Sequence, residues 1–288
     1  MKLTNDVKNL ATGMGADLIG VAPIDRFENA PEEGKPQYFM HDAECVIVLA
    51  TRILEGMCDV HGSYEEEGKT IGPYMWYGYP MLNWANSWIA IQVGKLLEDN
   101  GYRALPFAPA GFHYRHPEEG RADFSHRHAA VAAGLGEFGL NGLFLSPQFG
   151  AHQRLLSIIT SAPLDPDPMY EGTPLCNRKE CKDLCIKICP MKAFEDKTVS
   201  VRIGNKDYEY TTLNRTVCLW HSIYGKYLRG NEELPRYPDK QQIEELMAGP
   251  GGRAKLMEKA NPWDKALQQF TFVPTCGTCL IKCPTPQN

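Results

Sequence analysis

The run Cys176-Asn-Arg-Lys-Glu-Cys181-Lys-Asp-Leu-Cys185-Ile-Lys-Ile-Cys189-Pro190 decides the architecture. It is answered near the end of the chain by Cys276-Gly-Thr-Cys279-Leu-Ile-Lys-Cys283-Pro284, with Cys218 standing between the two. Eight thiolates are what two cubane [4Fe–4S] clusters require, and close spacing that ends on Cys-Pro is the bacterial ferredoxin pattern. In such ferredoxins the fourth cysteine of one run serves the other cluster, because Cys-Pro turns the chain away. One cluster is therefore expected on Cys176, Cys181, Cys185 and Cys283, and the other on Cys189, Cys218, Cys276 and Cys279. The first run is spaced four-three-three rather than two-two-three, so its loop must differ from the ferredoxin one. Two Cys₄ zinc sites or a disulfide framework are the competing readings; neither accounts for three close thiols followed by a crossing Cys-Pro. Cys45 and Cys58 lie outside the set, Cys45 as a small core hydrophobe.

Iron–sulfur clusters move single electrons, so the first functional expectation is redox. At 288 residues the chain can bury a sizeable core and a second, smaller domain. Its 43% hydrophobic and 23% charged content is that of an ordinary globular protein. A formal net charge of −5 gives no electrostatic reason to expect nucleic acid or an anionic membrane as partner. No apolar run reaches the roughly 20 residues that span a bilayer, and the first residues carry no secretory or twin-arginine signal. A cytoplasmic location is the expectation, where clustered cysteines are ligands rather than disulfides.

The first 168 residues read as an α/β domain. A helix is expected over 5–14, a strand at Ala16–Val21 and a strand buried on both faces at Cys45–Ala50. Trp84, Trp88, Ile91, Gly94 and Lys95 recur at helical spacing within 83–98. A strand follows at 102–107, a small-residue helix near 126–134, and strands near 143–146 and 153–160. Pro163, Pro166 and Pro168 mark the exit from this domain. Residues 169–288 form the cysteine domain, with a charged insertion and one clear helix near 240–248.

Gly134-Leu-Gly136-Glu-Phe-Gly139 matches the dinucleotide fingerprint letter for letter, but its context fails. An Ala-rich helix precedes it instead of a strand, and no acidic residue follows about 20 positions on. Glycines that permit tight packing at a turn are one reading. A backbone that must approach a large flat cofactor is the other.

The stretch from Ala129 through Gly134-Leu-Gly-Glu-Phe-Gly-Leu-Asn-Gly-Leu-Phe-Leu-Ser-Pro-Gln-Phe-Gly150, continued by Arg154–Leu164 and the cysteine run, resembles the core signature of corrinoid-dependent reductive dehalogenases. Epoxyqueuosine reductases share a looser version. Gly15–Val21 and Gly101–Pro106 also resemble the family, so the likeness covers nearly the whole chain. It implies a nitroreductase-like, corrinoid-binding α/β domain followed by a bacterial ferredoxin-like domain. It further implies a cobalamin above two clusters, with electrons passing to cobalt to make Co(I). Gly134, Gly136, Gly139, Asn141, Gly142 and Ser146 are the implied corrinoid-binding residues. The same resemblance places the catalytic tyrosine in Pro73-Tyr74-Met-Trp-Tyr77-Gly-Tyr79-Pro80, with Tyr79 aligning best, Tyr77 beside it, and Asp123 near a catalytic aspartate. The competing readings are an aromatic core cluster for the tyrosines and a helix cap for Asp123. Asp59-Val-His61 superficially matches a cobalamin motif, but Tyr64 stands where its glycine belongs, and His61 is given no cobalt-ligand role. His113, His116, His126 and His128 cluster, with irregular spacing.

Three departures shape the expectation. The chain has no twin-arginine leader, ends at Asn288 without the helical repeat extension of epoxyqueuosine reductases, and is short for the family. The reading is a cytoplasmic corrinoid iron–sulfur reductase of anaerobic metabolism acting on a small-molecule substrate. A low-potential donor such as ferredoxin or flavodoxin would reduce it, with no nucleic acid and no membrane as partner. An electron-transfer protein that reduces a partner, and an epoxyqueuosine reductase-like enzyme, are the alternatives.

Overall fold

The computed structural model describes residues 2–62, 72–109, 122–221, 239–247 and 276–285. Its centre is Cys45-Val-Ile-Val-Leu-Ala-Thr-Arg52, whose first seven residues are all buried. In chain order the N-terminal elements are α1 (Lys2–Gly13), β1 (Leu18–Pro23), α2 (Pro36–Phe39), β2 (Cys45–Arg52) and α3 (Glu55–Val60). A π-helical turn at Tyr74–Met81 runs into α4 (Leu82–Asp99), then β3 (Ala104–Pro106), α5 (His126–Ala132), β4 (Glu137–Phe138), β5 (Phe144–Leu145) and β6 (Gln153–Thr160). The main sheet has the order β1-β2-β6-β3. Every pairing in it is antiparallel. The mixed helix-and-sheet class expected from sequence stands, but no parallel strand pair occurs in this sheet.

An antiparallel sheet commonly leaves one face to water; this one does not. Cys45, Ile47 and Leu49 pack with Val7 and Ala11 of α1 and Ile89, Ala90, Val93 and Leu97 of α4. Val46 and Val48, pointing the other way, pack with Ala129–Ala133. Alternation of side chains along a strand makes this two-sided burial possible only when both parities are apolar, as they are here. The Ala-rich helix can approach closely because Gly20 lies beneath it: a Cβ there would stand 2.8 Å from the Ala133 carbonyl oxygen. Helix α4 turns Asn83, Asn86, Ile89, Ala90, Val93, Gly94 and Leu97 inward. Trp84, Trp88 and Ile91, which marked its period in the sequence, face outward at 57%, 58% and 44% exposure. The aromatic stripe identifies the helix but is not its core face.

The proline-rich exit is pinned to the sheet. Asp167 donates its N–H to the Val21 carbonyl and accepts the Val21 N–H on its carboxylate, while Lys8 pairs with it at 2.6 Å. Beyond it come α6 (Arg178–Cys181), α7 (Leu184–Lys187), β7 (Phe194–Ile203), β8 (Lys206–Leu213), α8 (Arg215–Leu219), α9 (Lys240–Met247) and α10 (Thr278–Ile281). The β7–β8 hairpin was not expected from the sequence. Its signal is the alternation Thr198-Val-Ser-Val-Arg-Ile203 before Gly204-Asn205, with Gly204 at φ 56° in the turn.

Two histidines fasten the start of α5. His126 places Nδ1 2.9 Å from Ser157 Oγ and Nε2 3.0 Å from the Ala108 carbonyl. His128 places Nδ1 2.6 Å from Ser125 Oγ and Nε2 3.0 Å from the Tyr210 hydroxyl. Burial pushes both down to about 4, with the Arg127 and Arg215 charges adding to the effect on His128. Between the ordinary histidine pKa of 6.5 and 4 the unfolded chain binds protons that the folded chain refuses. Stability should therefore be full above pH 6.5 and fall as pH drops towards 4. After allowing for half-burial, the loss is on the order of 2 kcal/mol per histidine. Urea midpoints at pH 7 and pH 4.5 measure it, and a His126→Asn/His128→Asn chain should lose less over that interval than the parent.

Candidate functional site

The cysteines sort into two electrostatic neighbourhoods. Cys185 feels the charges of Cys283, Cys176 and Cys181, and Cys176 those of Cys181 and Cys283. Cys218 feels Cys276 and Cys189, and Cys279 feels Cys276, Cys218 and Cys189, with Cys185 as the weakest link across. These are the crossed groups expected from the spacing. Burial first, and then mutual repulsion, pushes the Cys185 and Cys218 thiols up to about 12 and Cys279 higher still. At Cys276 burial also pushes upward, but hydrogen bonds from His221 and Thr278 outweigh it and bring the thiol down to about 7. Among the described residues no three Cys, His, Asp or Glu side chains are already gathered round a metal position. The grouping is one of proximity, and its chemistry, two crowded all-thiol sets, suits iron–sulfur ligation.

The unusual spacing of the first run has a local counterpart. Lys182 and Asp183, between Cys181 and Cys185, both take left-handed backbone at φ 51° and 57°, as does Lys192 at 48°. Each such non-glycine residue costs about 1–2 kcal/mol. Arg178 holds Asp183 there through bonds of 2.9 and 3.2 Å. The reversal lets α6 and α7 present their cysteines to one place.

The front half of the chain supplies the seat. Leu140 donates its N–H to Cys176 Sγ at 3.3 Å, Asn141 Nδ2 donates to the Cys279 carbonyl at 3.3 Å, and His152 Nε2 meets the Ile281 carbonyl at 3.0 Å. Lys282 returns a bond to the His61 carbonyl at 3.0 Å. Leu280 and Ile281 share a core with Ile53, Cys58, Tyr74, Leu145 and Ala151. The second cysteine run is thus built into the first 168 residues, and the boundary expected near 168 is crossed by shared packing.

The glycine turn belongs to the same floor. A Cβ on Gly134, at φ 73°, would lie 1.8 Å from the Pro168 carbonyl oxygen, and one on Gly136 1.9 Å from that of Leu145. Gly139 faces Asn141 and Leu145, and Gly142 faces the Tyr210 ring. Asn141 also accepts the Leu143 N–H, while Ser146 donates to Gln153 and accepts from Phe149. All six residues implied for a corrinoid are committed to contacts within the chain. No step is assigned through a corrin.

The three tyrosines of the π-helical turn sit in different settings. Tyr77 is 57% exposed. Tyr74 is buried, its ring packed against Gly78 and Gly277 and edge-on to His61 at 5.0 Å. Burial holds the Tyr74 phenol far above its ordinary range. Tyr79, 6.4 Å from Tyr74, lies under Arg154, whose guanidinium carbon is 4.0 Å from the ring centroid. Arg154 was not singled out as a functional residue from the sequence; its position on a strand facing Thr51 gave no signal that it would meet the aromatic turn. Asp123 is half-buried two residues before Ser125, and Ser125, not Asp123, occupies the N-cap position of α5. His126 and His128 are committed to α5, and His113 and His116 lie outside the described residues.

No protein-family model matches the chain. Over 100 residues it is 33% identical to the tetrachloroethene reductive dehalogenase of Sulfurospirillum multivorans, a match that spans 32% of this chain and 19% of that protein. Its fold resembles an epoxyqueuosine reductase from Streptococcus thermophilus (TM-score 0.52, 18% identity, 99% of this chain and 66% of that one). It also resembles a reductive dehalogenase whose structure suggests a mechanism for B12-dependent dehalogenation (TM-score 0.55, 17% identity, 96% and 37%). A catabolic reductive dehalogenase in complex with 3-bromo-4-hydroxybenzoic acid gives a TM-score of 0.54 at 16% identity. The family resemblance read from the sequence is therefore supported, while the chain spans only part of each relative. A formal net charge of −5 does not by itself exclude a nucleic-acid partner. No helix among the described residues is long and apolar enough to cross a membrane.

Gly136→Ala should destabilise by roughly 1–3 kcal/mol, because its new methyl group meets backbone rather than a flexible side chain. A thermal midpoint within a degree of the parent's would show that the turn can yield.

Proposed function

We propose that this chain is an iron–sulfur reductase in which two [4Fe–4S] clusters deliver electrons to a small organic substrate and Tyr79 donates the proton. The observation that carries this reading is the grouping of the cysteines into two all-thiol neighbourhoods beside an arginine-covered tyrosine. Cys176, Cys181, Cys185 and Cys283 would hold one cluster and Cys189, Cys218, Cys276 and Cys279 the other, in a ferredoxin-like unit seated on the N-terminal layer. When bound, the clusters supply electrons one at a time from a low-potential donor such as ferredoxin or flavodoxin.

Reductive removal of a halogen consumes two electrons and one proton: the carbon–halogen bond breaks, halide leaves and a carbon–hydrogen bond forms. Tyr79 suits the proton's source because it is a positioned phenol whose ring carries the Arg154 guanidinium on its face. Tyr77 and Asp123 are assigned as groups at the rim of the site. Likeness to dehalogenases, one with a brominated hydroxybenzoate, supports an aromatic organohalide as the substrate class. The second reading is reduction of an epoxyqueuosine-type substrate, favoured by the alignment of 99% of the chain with an epoxyqueuosine reductase.

Anaerobic reconstitution should load about eight irons per chain. Cys176→Ser and Cys283→Ser should each remove the same electron paramagnetic resonance signal, and Cys218→Ser and Cys279→Ser the other. Loss of one signal by both Cys176→Ser and Cys189→Ser would break the crossed assignment. Reconstitution with and without hydroxocobalamin, read by its absorbance bound to protein, decides whether a corrinoid takes part.

Turnover of 3-bromo-4-hydroxybenzoic acid, followed as bromide release, tests the chemistry. Tyr79→Phe should lower it by about 10²–10⁴-fold with iron content unchanged. An undiminished rate would remove Tyr79 as the donor.

A further inference from the structure

We infer that Asn83 and Asn86 are positioning residues that clamp Arg154 against the ring of Tyr79. This rests on the reading of Tyr79 as proton donor and adds the device that fixes its cation.

The inward face of α4 is apolar at Ile89, Ala90, Val93 and Leu97, yet its first turns put two asparagines there. Asn83 is 6% exposed and Asn86 is fully buried. A buried amide weakens a fold unless its hydrogen bonds are met. Both amides spend theirs on the same residue. Asn83 Oδ1 accepts from Arg154 Nε at 2.9 Å, and Asn86 Nδ2 donates to the Arg154 carbonyl at 3.0 Å. One bond fixes the guanidinium and the other fixes the backbone that carries it.

The backbone needs the second bond because β3 pairs with Ile158–Thr160, so among the described residues no strand flanks Arg154 on that side. On the other side its partner is Thr51 of β2. The arrangement is not optimised for stability. Among the described residues Asn86 Oδ1 and Thr51 Oγ1 are buried without a hydrogen-bond partner, and an apolar side chain at either place would avoid that penalty. What the asparagines do achieve is orientation. With Nε held, the guanidinium lies over the Tyr79 ring at 4.0 Å from its centroid, well inside the range of a cation–π contact. Arginine has many rotamers, and a cation free among them would be displaced from the ring for much of the time. The other ring facing Tyr79 is that of Tyr74, with His61 behind it.

The test uses the full chain, reconstituted anaerobically, with 3-fluorotyrosine at position 79 and its fluorine resonance read at pH 7. Arg154→Gln gives the position of the resonance without the cation. Asn83→Leu and Asn86→Leu should each move it most of the way to that position, and Asn83→Asp, which keeps the acceptor, should restore it. Thermal midpoints separate this from unfolding: Asn86→Leu removes an unsatisfied amide oxygen together with the bond to the Arg154 carbonyl, so the two effects oppose and the midpoint should move by no more than a few degrees. In turnover of the brominated benzoate, Asn83→Leu should lower kcat about tenfold with KM unchanged. A resonance left in place by Asn83→Leu and Asn86→Leu, or by Arg154→Gln itself, overturns the clamp. If instead Tyr79→Phe keeps full turnover while the resonance shifts as stated, the clamp stands and the proton-donor reading is what fails.

Discussion

Eight thiols crowded into two small volumes is the constraint on which the rest of this molecule turns. Each carries a thiolate when it binds iron, and burial and neighbouring charge both oppose that ionisation, as the upward shifts at Cys185, Cys218 and Cys279 show. Protonated, these thiols carry no charge to draw them to a common centre, so contacts from outside must hold the cysteine loops in place. The N-terminal half does so by contributing backbone donors, a shared apolar core around Leu280 and Ile281, and the contacts of Asn141 and His152. The antiparallel sheet, covered on both faces, is the rigid body that makes this possible. A loosely tethered ferredoxin unit would have to supply the same restraint from its own few residues.

The glycine turn makes sense in these terms. Gly134 and Gly136 let the Pro168 and Leu145 carbonyls come to distances that any side chain would forbid. That close approach carries Leu140 and Asn141 to the cysteine loops. The motif that reads as a cofactor cradle also makes a joint between two layers.

Legibility from the sequence followed the strength of the local physics. The strand at Cys45–Arg52 was readable because both parities are apolar, and α4 because its aromatics recur at the helical period. Which face of α4 is buried was not readable, since tryptophans outside and asparagines inside invert the usual ranking. The crossed cysteine assignment was drawn from Cys-Pro and spacing alone, and the neighbours of Cys185 and Cys218 fall within its two groups. The β7–β8 hairpin was hidden by the charges that alternate with its valines and tyrosines. Arg154 was hidden for a different reason: its meeting with Tyr79 joins positions 75 residues apart, through packing of α4 on β6, and no local pattern encodes it.

The two buried-side tyrosines show how environment divides their roles. Tyr74 lies between the second cysteine run and His61, fully buried, and a phenolate there would face thiolates in a medium that cannot solvate it. It stays protonated under any ordinary condition and serves as packing against Gly277, whose φ of 119° leaves no room for another residue. Tyr79, one turn on, keeps part of its surface accessible and carries the guanidinium on its face. Of these two phenols, 6.4 Å apart, it is the second that has the Arg154 side chain stacked on its ring. In the proposed reaction Tyr74 would stand as a neutral wall between the second cysteine run and Tyr79.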